Sequence, residues 1–333
     1  MKNVFLFLLI LGGSFASVQA QNNLGTTAVP FLEIPAGARG VAMGEANVSA
    51  VNDISALYWN PAGMTKFTKN EVAFQHTDYF IDTRLNYAAG GFKLGYSYIG
   101  VHFYQFDGGR MPVTDILFPD GIGEDFAARD MSIGISYAQL LTTNFGIGAT
   151  LKYIESMIWR TKASTIALDL GFHYKTPLKD LNLGFAISNF GAEMQMNGDN
   201  LAQRIDIDLN SSGNNDGLLA FLSTKKWDLP LIFRIGLDYA ILNTRLHDLT
   251  IASDIVYPNN NQNYVNAGLE YGFRKMVFFR AGYSNGFISD DEGLGHLRLG
   301  FGISINNQIK VDYAFSERGI LGNINLIGAS VAF

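Results

Sequence analysis

The sequence has no cysteine and few charged residues. Without cysteine the protein cannot form a disulfide, a thiolate metal site or a thiol nucleophile. Charged residues make up 16% of the chain and hydrophobic residues 48%, whereas about 25% charge is usual in soluble domains. A soluble fold of this composition would expose a large apolar surface. The net charge of −6 also argues against nucleic acid as a partner.

A hydrophobic run long enough for a transmembrane helix, roughly 20 residues, is also missing. Residues 4–11 are eight consecutive apolar residues. They follow Lys2 and precede Val18-Gln19-Ala20, which is similar to an A-x-A cleavage site. This order predicts a cleaved signal peptide over residues 1–20, and therefore export, rather than a helical anchor. No cysteine follows the run, which excludes a lipoprotein anchor.

From about residue 71 onward the sequence alternates with period 2. For example, Leu297, Leu299 and Phe301 are interleaved with Arg298 and Gly300. Such alternation is typical of strands with one apolar and one polar face. It predicts an all-β fold, a transmembrane antiparallel β-barrel whose apolar face contacts the lipid of a Gram-negative outer membrane.

The predicted barrel spans residues 71–333 and has about 14 strands. These strands are approximately 71–80, 83–92, 95–105, 131–141, 144–156, 163–174, 180–190, 230–242, 247–257, 263–273, 276–285, 295–305, 308–316 and 323–333. Short connections at 92–93, 141–143, 175–179, 243–246, 274–275 and 306–307 alternate with longer ones, as periplasmic turns alternate with external loops. The two longest loops, 106–130 and 191–229, are therefore predicted to face outward.

The predicted inner face carries many charges. They are Lys152, Asp169, Arg234, Asp238, Asp254, Glu270, Arg280, Arg298, Lys310 and Asp312. A dry core would not tolerate so many charges, whereas a hydrated or plugged lumen would. The mixture of signs favours cross-strand ion pairs, with a selectivity function as the alternative.

The last predicted strand ends on Phe333, with Val331 on the same face and Gly328 further back. A terminal aromatic strand is typical of the signal that the barrel-assembly machinery reads. We therefore predict that Gly328, Val331 and Phe333 form this signal, although Leu326 stands where a polar residue is more usual.

Residues 21–70 differ from the rest of the chain because they lack sustained alternation and contain Pro30, Pro35 and Pro61. Their apolar content argues against a solvated periplasmic tail. We therefore predict a hatch that lies inside the barrel, with the tail as the alternative.

Two stretches of this segment resemble the PorV/PorQ family of FadL-like outer-membrane proteins. Residues 31–46 read FLEIPAGARGVAMGEA, and the resemblance includes Pro35, Ala36, Ala38, Arg39, Met43 and Gly44. Residues 56–64 read ALYWNPAGM, in which Asn60, Pro61, Ala62 and Gly63 are similar to the hatch motif of FadL-type hydrocarbon transporters. The detailed resemblance covers about residues 30–64.

The resemblance implies a fourteen-stranded barrel with an N-terminal hatch. It also implies a role in type IX secretion, because PorV-like members bind the C-terminal signal domain of exported cargo. They carry this cargo from the translocon to the attachment machinery. External loops would make the contact with cargo.

Motifs of catalysis or metal binding are weak or absent in the sequence. The five histidines lack paired metal spacing, and no nucleophile elbow or phosphate loop is present. We therefore predict no enzymatic activity, no cofactor and no metal. The run Asp206, Asp208 and Asn210, followed by residues 214–216, is a weak calcium candidate. Ser211 stands at the position of the loop glycine and Gly217 at that of the glutamate, so a solvated loop is the preferred interpretation.

Three functions are compatible with this sequence. The leading hypothesis is a type IX secretion component or adapter that recognises exported proteins through its external loops. The alternative is a FadL-like transporter of hydrophobic small molecules, which requires an apolar pocket beside Asn60-Pro61-Ala62. The third is a general porin, which requires an open polar channel.

Overall fold

The computed structural model describes residues 25–206, 217–286 and 296–333. The predicted signal peptide, residues 1–20, lies outside the described residues, as does most of the calcium candidate at 206–216. Nothing in the structure therefore tests either prediction.

Fourteen long strands form the wall. They are β1 (Glu71–Asp78), β2 (Arg84–Leu94), β3 (Ser97–Pro112), β4 (Asp125–Leu140), β5 (Phe145–Ile158), β6 (Thr161–Lys175), β7 (Leu181–Gly191), β8 (Ile232–Asn243), β9 (His247–Pro258), β10 (Tyr264–Phe273), β11 (Val277–Gly286), β12 (Leu297–Ile305), β13 (Ile309–Glu317) and β14 (Asn323–Ala332). Each strand pairs antiparallel with the next one along the chain. The predicted fold class and strand number are confirmed.

The sheet closes on itself through β1 and β14. These two strands pair in register from Glu71 opposite Ala332 to Asp78 opposite Asn325. The long connection between β7 and β8 does not interrupt the wall, because these strands pair from Ile232 opposite Ser188 to Tyr239 opposite Leu181. Closure removes the unpaired strand edges that lipid could not satisfy.

Side chains alternate across the wall as the sequence predicts. On β12, Leu297 and Leu299 are 45% and 42% exposed, whereas Arg298 between them is completely buried. The exposed apolar face is the face that lipid covers in a membrane. The buried face carries the polar side chains and points into the lumen.

Two sequence-based boundaries were wrong. Phe92 and Lys93 were predicted to form a turn, but they pair with Ile99 and Tyr98 inside the sheet. The chain reverses instead at Gly95, whose φ of +67° is readily adopted only by glycine.

The β3–β4 hairpin is also longer than predicted, and its loop shrinks from 106–130 to 113–124. Gly108, Gly109 and Pro112 are poor strand formers, which hid the extension from sequence analysis. In the structure Gly108 and Gly109 form a register shift between Asp107 and Arg110. Beyond it, residues 110–112 pair only with residues 125–127 of the same hairpin. The hairpin therefore extends farther than the neighbouring strands β2 and β5 at the loop end.

The remaining elements are short. The two α-helices are α1 (Ala38–Ala42) and α2 (Ala56–Trp59), and 3-10 helices span Pro30–Glu33, Pro61–Lys66, Asp199–Leu201 and Gly319–Leu321. The loop between β7 and β8 holds the short strands Asn197–Gly198, Ala202–Ile205 and Leu218–Phe221. Among the residues that the structure describes, no helix has the length and hydropathy of a membrane span.

Candidate functional site

Residues 25–70, here called the luminal segment, run through the barrel along its length. At the loop end, the Ala28 amide donates to the carbonyl of Asp228, at 2.8 Å, in the loop before β8. At the short-turn end, Asn70 exchanges backbone hydrogen bonds with Phe333. The segment thus begins beside the external loops and leaves the lumen where β1 starts.

An apolar cluster fixes the middle of the luminal segment against the wall. Leu57 and Met64 are completely buried and Phe31 and Trp59 nearly so, and Tyr104 of β3 packs against them. The Tyr104 hydroxyl donates to the Ile34 carbonyl at 2.8 Å. Burying side chains of this size contributes about 1.5–3 kcal/mol each, so the segment is packed as a core and not as a loose tail.

Inward-facing glycines let the segment lie directly against the wall. A Cβ added at Gly282 would be 2.0 Å from the Gly44 nitrogen, and one at Gly268 would be 2.1 Å from the Met43 oxygen. On the opposite side, a Cβ at Gly148 would be 2.5 Å from the Ala62 nitrogen. No sequence pattern connects these glycines with the luminal segment.

The predicted hatch motif is buried against β5 and β6. The Asn60 side chain donates to the carbonyls of Val48, at 2.9 Å, and Phe172, at 3.0 Å. Its Oδ1 accepts from the Ala62 amide at 3.0 Å, and Pro61 begins the 3-10 helix that follows. Gly63 sits where a side chain would meet Val51. Asn60 therefore joins two parts of the luminal segment to the wall.

The predicted N-terminal signature surrounds α1. Pro35 and Ala36 precede this helix, and the Ala36 carbonyl accepts from the Trp59 indole at 2.8 Å. Ala38 packs against Ala314 and Leu326 of the wall.

The end of the signature turns sharply at the wall. Met43 is completely buried. Gly44 has a φ of +65° and no space for a side chain. Complete burial suits the flexible apolar side chain of Met43, and the positive φ and lack of space explain a glycine at position 44.

Arg39 of the signature joins a charge network on one side of the inner wall. Its Nε and Nη2 donate to the two carboxylate oxygens of Glu270, both at 2.8 Å. Glu270 also pairs with Arg280 at 2.6 Å, and Arg280 pairs with Asp312 at 2.6 Å. Burial by itself would lower the pKa of Arg39, but the charge and hydrogen bonds of Glu270, with the charges of Asp53 and Asp312, raise the pKa overall.

Other predicted luminal charges bind the luminal segment rather than each other. One Asp254 oxygen accepts from the amides of Asn47 and Val48, at 2.7 and 2.8 Å. Asp238 accepts from the Ser49 hydroxyl at 2.6 Å. Sequence analysis missed these partners, because a backbone amide or a serine carries no charge pattern.

The remaining predicted charges divide between pairs and single contacts. Lys152 pairs with Asp169 at 2.7 Å, which is a cross-strand pair of the predicted kind. Arg298 lies 3.7 Å from Glu45, whose role sequence analysis missed. Arg234 donates to Ser188 at 3.1 Å and stacks on Trp59. Lys310 lines a small cavity with Asp312 and has no salt bridge among the described residues.

The predicted assembly signal lies on β14 and beside it. Val331 and Phe333 are 43% and 58% exposed and belong to the outer face, whereas Gly328 lies beside Gln75 of β1. That the barrel-assembly machinery recognises these three residues stays a prediction.

One small cavity lies between the apolar cluster and the polar wall. It has a volume of about 20 Å³ and is bounded by Tyr58, His102, Lys152, Asp169 and Arg234, among others. A water molecule needs about 10–15 Å³, so this space fits one water. Within the described ranges, no group of three or more His, Asp or Glu side chains could hold a metal.

Comparison with known proteins identifies the family of this chain. The chain matches the family described as type IX secretion system protein PorV over residues 17–210, more than half of its length. No curated protein sequence matches it significantly.

Solved structures show the same fold at low sequence identity. The toluene transporter TodX of Pseudomonas putida has a TM-score of 0.59 and 13% identity, with 90% of this chain and 98% of that chain covered. The toluene transporter TbuX of Ralstonia pickettii has a TM-score of 0.55 and 12% identity, with 89% and 97% covered. The monoaromatic hydrocarbon channel CymD has a TM-score of 0.56 and 14% identity, with 94% and 98% covered. The chain is therefore an outer-membrane β-barrel that belongs to the PorV family.

Proposed function

We propose that this protein is a component of the type IX secretion apparatus that binds exported cargo proteins through its external loops. The role is non-enzymatic. The observation that carries the proposal is an exposed apolar loop tip that projects outward above a lumen filled by the luminal segment.

The filled lumen argues against a conducting channel. Backbone of the luminal segment touches β5, β10 and β11 at Gly148, Gly268 and Gly282. Salt bridges and buried carboxylates then hold the segment in place. A general porin would need a continuous aqueous path, and the contacts just described occupy the lumen across its width.

The tip of the β3–β4 hairpin presents three apolar side chains to solvent. Ile116 is 100% exposed, Leu117 81% and Phe118 56%. The tip is ordered by Asp115, whose Oδ1 accepts from the amides of Leu117, at 2.8 Å, and Phe118, at 2.7 Å. Adjacent exposed apolar residues of this kind are typical of protein interaction sites.

A second apolar surface lies on the loop between β7 and β8. Leu219, Phe221 and Leu222 are 64%, 60% and 58% exposed. Leu219 and Phe221 belong to a two-stranded hairpin that pairs with no barrel strand. Together the two loops offer apolar side chains and unpaired strand edges, which suit recognition of a folded cargo domain.

Cargo display tests the proposal. A strain that lacks the gene should retain cargo with the C-terminal signal inside the cell. Re-expression of the variant Ile116→Ser/Leu117→Ser/Phe118→Ser should leave cargo undisplayed, although the barrel still assembles. The matched control is Ile320→Ser, because Ile320 is 85% exposed on a different external turn. Normal display in the deletion strain would refute the proposal.

A transporter of hydrophobic small molecules is the second candidate, because the three structures with the same fold are named as hydrocarbon channels or transporters. Such a transporter needs an apolar pocket beside Asn60. Asn60 is instead completely buried. The cavity of about 20 Å³ that is lined by Leu57 and Tyr58 on one side and by Lys152, Asp169 and Arg234 on the other is too small for a hydrocarbon. Uptake of a labelled fatty acid into liposomes, altered by Asn60→Ala, would support this candidate over cargo binding.

A further inference from the structure

The short-turn end of the barrel is strongly basic. Exposed cations here called the basic rim surround the opening: Lys69, Lys93, Lys175, Arg245, Arg274 and Lys275. None of them forms a salt bridge with the residues that the structure describes. The acids at this end are few: Asp180 lies 3.9 Å from Lys179, and Asp248 is half-buried. Glu71 at the start of β1 is buried, and the terminal carboxylate of Phe333 lies beside Asn70.

This charge is not a consequence of composition, because the whole chain has a net charge of −6. The loop end carries the compensating acids, for example Asp115, Asp120, Glu124 and Asp125. The protein is therefore electrically polarised along its axis. Short turns of outer-membrane barrels face the periplasm, which places the positive end on the periplasmic side.

The positive charge continues from the rim into the lumen. A recess of about 470 Å³ opens at this end and is lined by Lys66, Lys93 and Lys175. Its inner wall includes His173, whose Nε2 is buried and has no hydrogen-bond partner. The acids of the recess are already engaged, since Glu270 pairs with Arg39, and Asp238 accepts from Ser49 and Asn182.

A second concavity lies on the rim itself. The turns after β8, β10 and β12 border an open surface groove of about 710 Å³ whose lining includes Arg245, Arg274 and Lys275. Backbone and amide groups of Asn243 and Asn307 complete it. The groove and the recess therefore both present cations without carboxylate partners at one end of the barrel.

We propose that the basic rim and the recess behind it form a docking site for an acidic polypeptide segment of a periplasmic protein. Charge complementarity identifies the occupant, because six rim cations and Lys66 lack carboxylate partners. Lipid headgroups could reach the outer circumference of the rim. They cannot reach the recess, because the barrel wall separates it from the membrane. This inference concerns the opposite end from the cargo loops and does not rest on the proposed secretion function.

A binding measurement with a defined probe tests the site. The protein is placed in nanodiscs of zwitterionic lipid, and the affinity of fluorescein-labelled hexaglutamate is measured by anisotropy. The test variant, Lys93→Gln/Lys175→Gln, removes two cations of the recess. The matched control, Lys225→Gln/Lys226→Gln, removes two exposed cations of the external loop between β7 and β8.

The recess variant should weaken hexaglutamate binding about tenfold, as expected for losing two favourable charge pairs, and the control should change it less than twofold. Binding should also weaken steeply with added salt. A compact barrel band in unheated gel samples establishes that the variants are folded.

Three results would overturn the proposal. They are no binding by the unmodified protein, equal losses in both variants, and loss in Arg245→Gln/Lys275→Gln alone. The last result would place hexaglutamate binding on the outer rim alone and would exclude the recess from the site.

Discussion

Arg39 and Glu270 form a two-pronged salt bridge, with both nitrogen–oxygen distances at 2.8 Å, that joins the luminal segment to β10. The two residues are 231 positions apart in the chain. Each has only a small exposed fraction, 9% for the Arg39 side chain and 12% for that of Glu270. This pair therefore connects the segment that fills the lumen with the wall that encloses it.

Removing Glu270 should destabilise the barrel more than removing Arg39. Glu270→Gln leaves two buried guanidinium groups without this carboxylate, whereas Arg39→Gln leaves Glu270 paired with Arg280. Breaking a buried pair costs about 3–5 kcal/mol, and Glu270→Gln should lie in this range. Thermal unfolding followed by loss of the compact gel band would measure the difference.

The control for this prediction is the exposed pair of Arg160 and Glu124, at 4.0 Å. Arg160→Gln should cost at most about 1 kcal/mol. Equal effects of Glu270→Gln and Arg160→Gln would show that the luminal network does not stabilise the barrel.

Substitution of a contact glycine should displace the luminal segment. A Cβ at Gly268 would meet the Met43 carbonyl oxygen at 2.1 Å, and backbone cannot swing aside as a flexible side chain can. Gly268→Val should therefore give a poorly assembled barrel or one that conducts ions in planar bilayers. Gly90→Val is the matched control, because its Cβ would have 3.6 Å to the nearest atom. Normal assembly and no ion conduction in Gly268→Val would contradict the close approach of Met43 to Gly268.

Asp254 should protect the amides of Asn47 and Val48 from exchange with solvent. Asp254→Ala removes the acceptor of both hydrogen bonds, and lost charge-assisted bonds of this kind cost about 1.5–3 kcal/mol each. Hydrogen exchange over residues 45–50 should accelerate by at least about tenfold. Asp248→Ala on the same strand, nearer the turn, should leave that exchange unchanged. Faster exchange in both variants would point to general destabilisation.

Lys66 should make the stability of the protein depend on pH. Burial lowers the pKa of Lys66 to about 8, whereas lysine in an unfolded chain titrates near 10.4. Between these values the unfolded state binds more protons, so stability from this group rises as the pH increases from about 8 to 10. Lys66→Met should lack this rise. The midpoint of thermal unfolding at pH 7.5 and 9.5 would compare the two proteins, and parallel profiles would contradict the prediction.

Orientation can be tested directly because the chain has no cysteine. Single cysteines at Ile116 and Ile320 should react with a membrane-impermeant maleimide on intact cells. Cysteines at Tyr96 and Leu178, which are 79% and 62% exposed at the short-turn end, should react only after the outer membrane is permeabilised. The opposite labelling pattern would invert the assignment of the two ends.

The wall of this protein could be predicted from its sequence almost strand by strand. The alternation of Leu297, Arg298 and Leu299 records two environments on one strand, and that pattern is local. The β3–β4 extension was not predicted because Gly108 and Gly109 have low strand propensity. The strand continues beyond them only because residues 110–112 pair across the hairpin.

Most partners of the luminal charges could not be predicted. The resemblance of residues 31–46 indicated that Arg39 belongs to a family signature, but nothing in the sequence connects it with Glu270. Asp254 was expected to form an ion pair, yet it accepts from two backbone amides. Such partners become visible only when the chain is closed into a barrel.

The sequence by itself therefore determined the class of protein, the number of strands and the faces that lipid and lumen receive. It did so because strand periodicity depends on neighbouring residues only. The tertiary structure decided which contacts hold the luminal segment in the barrel. It also decided that cations lie together at the short-turn end and acids at the loop end. Closure and strand register bring residues such as Arg39 and Glu270 together from opposite ends of the chain, and no local pattern encodes that proximity.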